Sequence, residues 1–133
     1  MRTRLAIILA AVLCLSAGGP AYAEWVSLGD NGHMTVYVDP GMIRRNGNLV
    51  KMWALLDFNT ARTLPSGISY LSSKTQEEFD CAEESRRNLS LTNYSDNMGR
   101  GDVVITDSGE GKWVPIAPGT ISQNLWKFAC GTK

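Results

Sequence analysis

The chain has 133 residues, with 13 basic against 13 acidic side chains, a balance that makes no electrostatic case for nucleic-acid binding. A chain this short buries one modest core and gains from a covalent staple. No repeat or low-complexity tract divides it, so a single domain is expected.

The first segment is a targeting signal. Met1-Arg2-Thr3-Arg4 is a basic start, Leu5–Leu15 an apolar run, and Ala21-Tyr22-Ala23 has the A-x-A form of a cleavage site. The apolar run is well short of the roughly 20 residues that span a bilayer. Residues 1–23 are therefore predicted to be a signal peptide cut between Ala23 and Glu24. Cys14 follows Leu13, where a lipobox needs a small residue, so acylation is not expected. The mature domain, 24–133, is then exported, to the periplasm or to the cell surface and beyond. Loss of Arg2 and Arg4 leaves 11 of the 13 basic residues against 13 acidic ones, a net charge of −2.

Short strands and turns come next. Glu24–Leu28 and Met34–Val38 are rich in β-formers, and Gly29-Asp30-Asn31-Gly32 between them is a hairpin turn. Asp39-Pro40-Gly41 suits a type II turn, with Pro at the second position and Gly at the third. Asn46-Gly47 between Ile43 and Leu49 predicts a tight reversal. Leu49–Phe58 is the most apolar strand, and both its faces are apolar through the middle. That pattern requires cover on both sides, from the C-terminal helix on one and from a second layer or partner subunit on the other. Asn59–Gly67 is expected to be a solvated loop.

Ser72–Asn88 presents a conflict. Ser73 and Gln76 would form a helix capping box, and Glu77, Glu78, Glu83, Glu84, Arg86 and Arg87 are helix formers. A helix here would carry only Phe79, Cys81 and Ala82 as apolar residues, too few for a buried stripe. Two strands meeting at a charged turn near Ala82–Ser85 are expected instead. Leu89–Tyr94 continues as strand, Ser95–Gly101 turns, Asp102–Thr106 is a short strand, Asp107–Gly111 turns again, and Trp113–Ile116 adds a last short strand.

Thr120–Cys130 is the one convincing helix of the mature chain. Thr120 is its N-cap and Gln123 completes a capping box. Ile121, Leu125 and Phe128 form an apolar stripe, Lys127 suits the negative end of the helix dipole, and Gly131 suits the stop. Cys81 and Cys130 are the only cysteines of the mature domain. In an oxidising compartment they are expected to pair, closing a loop of about 50 residues worth roughly 4 kcal/mol. The expected fold is α+β: a mainly antiparallel β-sheet of about six strands, one C-terminal α-helix packed on it, and a sheet-to-helix disulfide.

No catalytic signature emerges. The single His33 lies beside a turn without a nucleophile or a second base, and two cysteines with one histidine lack zinc spacing. Glu77-Glu78 and Glu83-Glu84 are sequence neighbours, which point to opposite faces of a strand and form no acid/base dyad. They are expected to be a solvated charged edge. Gly99-Arg100-Gly101 matches no phosphate-binding loop. Asn88-Leu89-Ser90 and Asn93-Tyr94-Ser95 match the glycosylation pattern by chance, given a bacterial-type leader. No cofactor and no metal are therefore expected. Arg44, Arg45, Arg86, Arg87 and Arg100 are candidates for a basic patch toward an acidic partner, if the sheet gathers them. Trp25, Trp53, Trp113 and Trp126 belong by default to the core, with one a plausible interface anchor.

The order of short motifs resembles the surface-adhesin protein E family of Gram-negative bacteria. The motifs are Tyr37-Val38-Asp39-Pro40, Ile43-Arg44-Arg45 with Gly47, Trp53, Asp57-Phe58, Tyr70-Leu71-Ser72-Ser73-Lys74, Phe79-Asp80-Cys81, Tyr94, Met98-Gly99 with Gly101, Trp113 with Pro115-Ile116, Pro118-Gly119-Thr120-Ile121, Leu125-Trp126-Lys127 and Ala129-Cys130. They span the mature chain. The resemblance implies a mainly antiparallel sheet with one C-terminal helix, the Cys81–Cys130 bond, and strand over Ser72–Asn88. It further implies a non-enzymatic binding module that adheres to host matrix or serum proteins and forms a homodimer, which would supply the second cover of Leu49–Phe58. The leader departs from the lipid-anchored form that the resemblance implies, since Ala21-Tyr22-Ala23 predicts a soluble product. A periplasmic structural or envelope-assembly factor is the alternative on the same fold.

Overall fold

The computed structural model describes residues 24–131. The predicted leader over 1–23, with Cys14 and the cleavage position at Ala23, lies outside them. Eight strands make one antiparallel sheet: β1 (Val26–Asp30), β2 (Met34–Val38), β3 (Arg44–Asn46), β4 (Leu49–Thr63), β5 (Ser69–Asp80), β6 (Ser85–Tyr94), β7 (Val103–Asp107) and β8 (Val114–Pro115). One α-helix among the described residues, α1 (Ile121–Gly131), follows. The sheet order is β1-β2-β4-β5-β6-β7, with β3 beside β4 and β8 beside β6.

Successive strands pair because tight turns join them. Asn31 Oδ1 accepts from the backbone N–H groups of His33 and Met34, both at 2.9 Å, and reverses the chain between β1 and β2. Asp39 Oδ1 accepts from Gly41 N–H at 3.0 Å, and Pro40–Met42 forms a 3-10 turn. Gly41 keeps a negative φ there, so the expected type II geometry gives way to the tighter turn held by Asp39. This break lets β2 and β3 share one side of β4: β3 pairs along Leu49–Lys51 and β2 along Ala54–Phe58.

Strand β4 outruns its expectation. Asn59–Thr63 was expected to be loop, yet it pairs with β5 through Arg62 opposite Tyr70 and Thr63 opposite Ser69. The Arg62 guanidinium lies 4.5 Å from the centroid of the Phe58 ring, and Phe58 meets Tyr70 edge-on at 5.8 Å. These contacts between neighbours supply the cohesion that an exposed stretch without apolar alternation lacks. Ser72–Asn88 is two strands, as the apolar count required. Asp80 Oδ1 accepts from Ala82 N–H and Glu83 N–H and holds the turn between them.

The core lies on one face. Alternate residues of β4 (Val50, Met52, Ala54) join Val36, Val38 and Phe79 beneath Leu125 and Ala129 of α1. Thr120 Oγ1 accepts from Gln123 N–H at 3.2 Å, whereas Gln123 Oε1 accepts from Gly119 N–H, one residue earlier than a standard capping box. Gly131 is the last helical residue rather than a stop beyond the helix. The C-terminal end of α1 is fixed at three points. Cys130 is bonded to Cys81, Trp126 Nε1–H donates to the Asp80 carbonyl at 2.9 Å, and Arg45 Nη2–H donates to the Cys130 carbonyl at 3.0 Å.

Among the described residues the opposite face of the sheet carries no α-helix, yet Leu55 on it is fully buried. Tyr37 and Lys74 stand directly opposite Leu55 on the flanking strands. The β6–β7 connection folds over the same face, where Asp57 Oδ1 accepts from Met98 N–H, and Ser72 Oγ accepts from Gly99 N–H and donates to the Asp96 carbonyl. The second cover of β4 is thus the chain's own, and burial of Leu55 needs no partner subunit.

Replacing Cys81 and Cys130 together by alanine is expected to lower stability by about 2–5 kcal/mol, read as a reduced urea midpoint. An unchanged midpoint would show that the core alone holds α1 in place.

Candidate functional site

Residues directly opposite one another on neighbouring strands point to the same face. The register therefore sorts the arginines. Arg44, Lys51, Glu78 and Arg87 form one row on the helix-free face, and Arg45, Val50, Phe79 and Arg86 form the matching row on the helix face. Arg100 belongs to the β6–β7 connection, which packs at the far end of β4 and β5 around Asp57 and Ser72. The five predicted arginines are not gathered into one patch.

Two of them are committed internally. Arg87 donates from Nε and Nη2 to Glu78 Oε1, at 2.9 and 2.6 Å, and reaches Glu110 Oε2 at 3.4 Å. Its guanidinium lies 4.8 Å from the centroid of the Trp113 ring. Arg86 pairs with Glu77 at 3.4 Å. Glu77 and Glu78 are 8% and 5% exposed, on a central strand and not on the solvated edge expected of them. Arg87 directly opposite Glu78 and Arg86 diagonal to Glu77 make that burial tolerable, because a buried charge persists only when paired. Glu77 is the less satisfied of the two. Its Oε2 is buried without a hydrogen-bond partner, and burial pushes its carboxyl above the ordinary carboxylate value while Arg86 opposes that shift.

What remains is a cleft of about 160 Å³ at the β3–β4 hairpin, lined by Arg44, Arg45, Asn46, Leu49, Lys51 and Glu78. Arg44 donates to the carbonyls of Gly41 and Ile43, at 3.3 and 3.0 Å. Lys51 escaped sequence reasoning, although its parity with Trp53 and its place after the Asn46-Gly47 reversal were visible. A second groove, of about 220 Å³, runs between the β1–β2 hairpin and the start of α1 beside Leu28, Asp30, Thr120 and Ile121. His33 is exposed at the hairpin. Among the described residues no three His, Cys, Asp or Glu side chains gather as a metal site, and no helix is long and apolar enough to cross a membrane.

The family model for surface-adhesin protein E matches residues 25–131. No curated protein sequence matches the chain. Among solved structures, crystal form II of Haemophilus influenzae protein E superposes with a TM-score of 0.65 at 15% identity, covering 83% of this chain and 89% of that one. Another structure of Haemophilus influenzae protein E gives a TM-score of 0.63 at 16% identity over 83% of this chain and 86% of that one. Protein E from a non-typeable strain gives 0.62 at 16% over 88% and 82%. These likenesses bear out the antiparallel sheet with its C-terminal helix.

The raised position of Glu77 has a defined sign. Between the ordinary carboxylate value and the raised one, the folded state binds more protons than the unfolded state, so stability falls as pH rises through that window and levels off above it. Glu77→Gln is expected to remove this component, so that the wild-type-minus-variant difference in unfolding free energy declines with rising pH across the mildly acid range. A difference that is flat or rises with pH would show that Glu77 is not destabilised by its burial.

Proposed function

The chain belongs to the surface-adhesin protein E family, and on that premise we propose that it is an exported, non-enzymatic binding module that attaches to a host matrix or serum protein. The family match over 25–131 carries this reading. The two mature cysteines, bonded across sheet and helix, suit an oxidising compartment, and the leader over 1–23 is the export signal. A domain cross-linked in this way keeps a rigid surface after release, which lowers the ordering cost of binding. The reading includes a homodimer. Val103 and Ile105 are 59% and 44% exposed on the terminal strand β7, and apolar edge strands favour pairing with another chain. Light scattering on the mature protein tests that part, a monomer at all concentrations ruling it out.

A second reading is favoured by Ala21-Tyr22-Ala23, whose cleavage yields a soluble product. On that reading the module serves as a periplasmic structural or envelope-assembly factor. One experiment separates the two. Native cells are fractionated, the mass of the mature protein is taken without reductant, and its binding to a panel of immobilised matrix and serum proteins is measured. The adhesin reading expects a surface-accessible chain starting at Glu24, lighter than its reduced form by the hydrogens lost in oxidation, with saturable binding to at least one panel member. Confinement to the periplasm, with no panel binding and co-purification with envelope proteins, would replace it with the second reading.

A further inference from the structure

We infer that the cleft between β3 and β4 on the helix-free face is a subsite for a carboxylate side chain, presented by an acidic and partly apolar peptide segment of a protein partner. The inference rests on the binding-module reading only in taking the partner to be a protein. Charge is the first argument. The mature chain is net negative by two (11 basic and 13 acidic residues), yet Arg44 and Lys51 present their charges to one small cleft, while Arg45, also in its lining, turns its guanidinium to the helix face. Glu78 is the one acidic lining residue, and Arg87 already neutralises it with two N–H donors. Lys51 forms no ion pair among the described residues.

Preorganisation is the second argument. Arg44 is oriented by the neutral carbonyls of Gly41 and Ile43. Such bonds fix a guanidinium and leave its charge intact, and the planar fork matches a carboxylate. Desolvation of the ligand group is then met by donors already in place, so less ordering is lost on binding.

Size and polarity narrow the ligand. The cleft's roughly 160 Å³ falls below the ~300 Å³ at which pockets take whole small molecules, so it admits a side chain. Leu49, half-buried in the same lining, and the alkyl stems of Arg44 and Lys51 offer apolar surface beside the charges. An aspartate or glutamate next to an aliphatic residue uses both features. A sulfated sugar uses the cations and leaves Leu49 without a partner.

The test is a titration of the ¹⁵N-labelled mature protein with a capped Gly-Glu-Leu-Asp-Gly peptide, its Gln/Asn counterpart, and a heparin-derived hexasaccharide. The acidic peptide is expected to shift the amide signals of Arg44–Lys51, with affinity falling as salt is added. Arg44→Glu and Lys51→Glu are each expected to weaken it by about tenfold or more, with the rest of the spectrum unchanged. Arg100→Glu is expected to leave it intact. No shift, shifts elsewhere, equal binding of the Gln/Asn peptide, or full affinity in both charge-reversed variants overturns the subsite. Binding of the hexasaccharide alone overturns it in favour of a sulfated-glycan site. Failure of the wider reading is distinguishable. A matrix protein bound equally by wild type and both variants removes the subsite and leaves the binding module standing. Peptide captured at the cleft by a protein with no affinity for any matrix or envelope protein supports the subsite and removes the module.

Discussion

The antiparallel register between β4 and β5 decides which side chains see the helix and which see solvent. Val50 stands opposite Phe79, Met52 opposite Glu77, and Lys51 opposite Glu78. Because side chains alternate with a period of two, a slip of one residue would turn Val50, Met52 and Phe79 outward and drive Lys51 and Glu78 beneath α1. Burial of a large apolar side chain is worth about 1.5–3 kcal/mol, and several sit in this core. Their sum rivals the ~5–15 kcal/mol net stability of a whole domain, whereas a buried ion pair returns little net of the cost of removing both charges from water. The apolar alternation of β4 therefore sets the register, and the ion pairs follow it. The Cys81–Cys130 bond acts after that choice. It joins the turn beyond β5 to the last turn of α1, so a correctly paired sheet also positions the helix that covers it.

Once the register is set, the charges of β5 and β6 have little freedom. Glu77 and Glu78 point to opposite faces, and Arg86 and Arg87 follow them across the hairpin. Removing these groups from water costs more than their attraction returns unless every lone pair is met. Glu78 comes close to that condition, with two donors from Arg87 and the Trp113 ring against the guanidinium. Glu77 does not, since one oxygen is orphaned. The two arginines spent here are unavailable to a ligand, whereas Arg44 and Lys51 at the β3–β4 hairpin have no carboxylate partner among the described residues.

Much of this was legible in the residues and some was not, for physical reasons. The strand pair over Ser72–Asn88 followed from counting apolar side chains, because a helix needs a stripe that Phe79, Cys81 and Ala82 cannot supply. Thr120, Gln123, Leu125 and Cys130 announced the helix and its staple through local chemistry. The length of β4 was hidden because Asn59–Thr63 is exposed and has no alternation; the Phe58, Arg62 and Tyr70 rings and guanidinium that hold it come together only through pairing. Burial of Glu77 and Glu78 was hidden for the same reason, as their partners lie on another strand. Lys51 gained a role only when the register set it beside Arg44 and Glu78.

That division of labour bears on how such a module acquires a ligand. The helix face and the β4–β5 pairing carry the stability, and Arg44 and Lys51 are exposed on the helix-free face of the β3–β4 hairpin, away from the contacts that fix α1. Substitutions at exposed positions of this kind usually change stability by about 0.5 kcal/mol or less, so the cleft is free to change its charge and shape while the fold persists. Fold-level likeness at 15% identity then leaves ligand identity undetermined, because function resides in the site carried by the fold and not in the fold. Under the subsite proposal, the specificity of this chain resides in a few exposed side chains at β3 and the start of β4. Of these, Arg44, Asn46 and Lys51 lie outside both the hydrophobic core and the disulfide contacts.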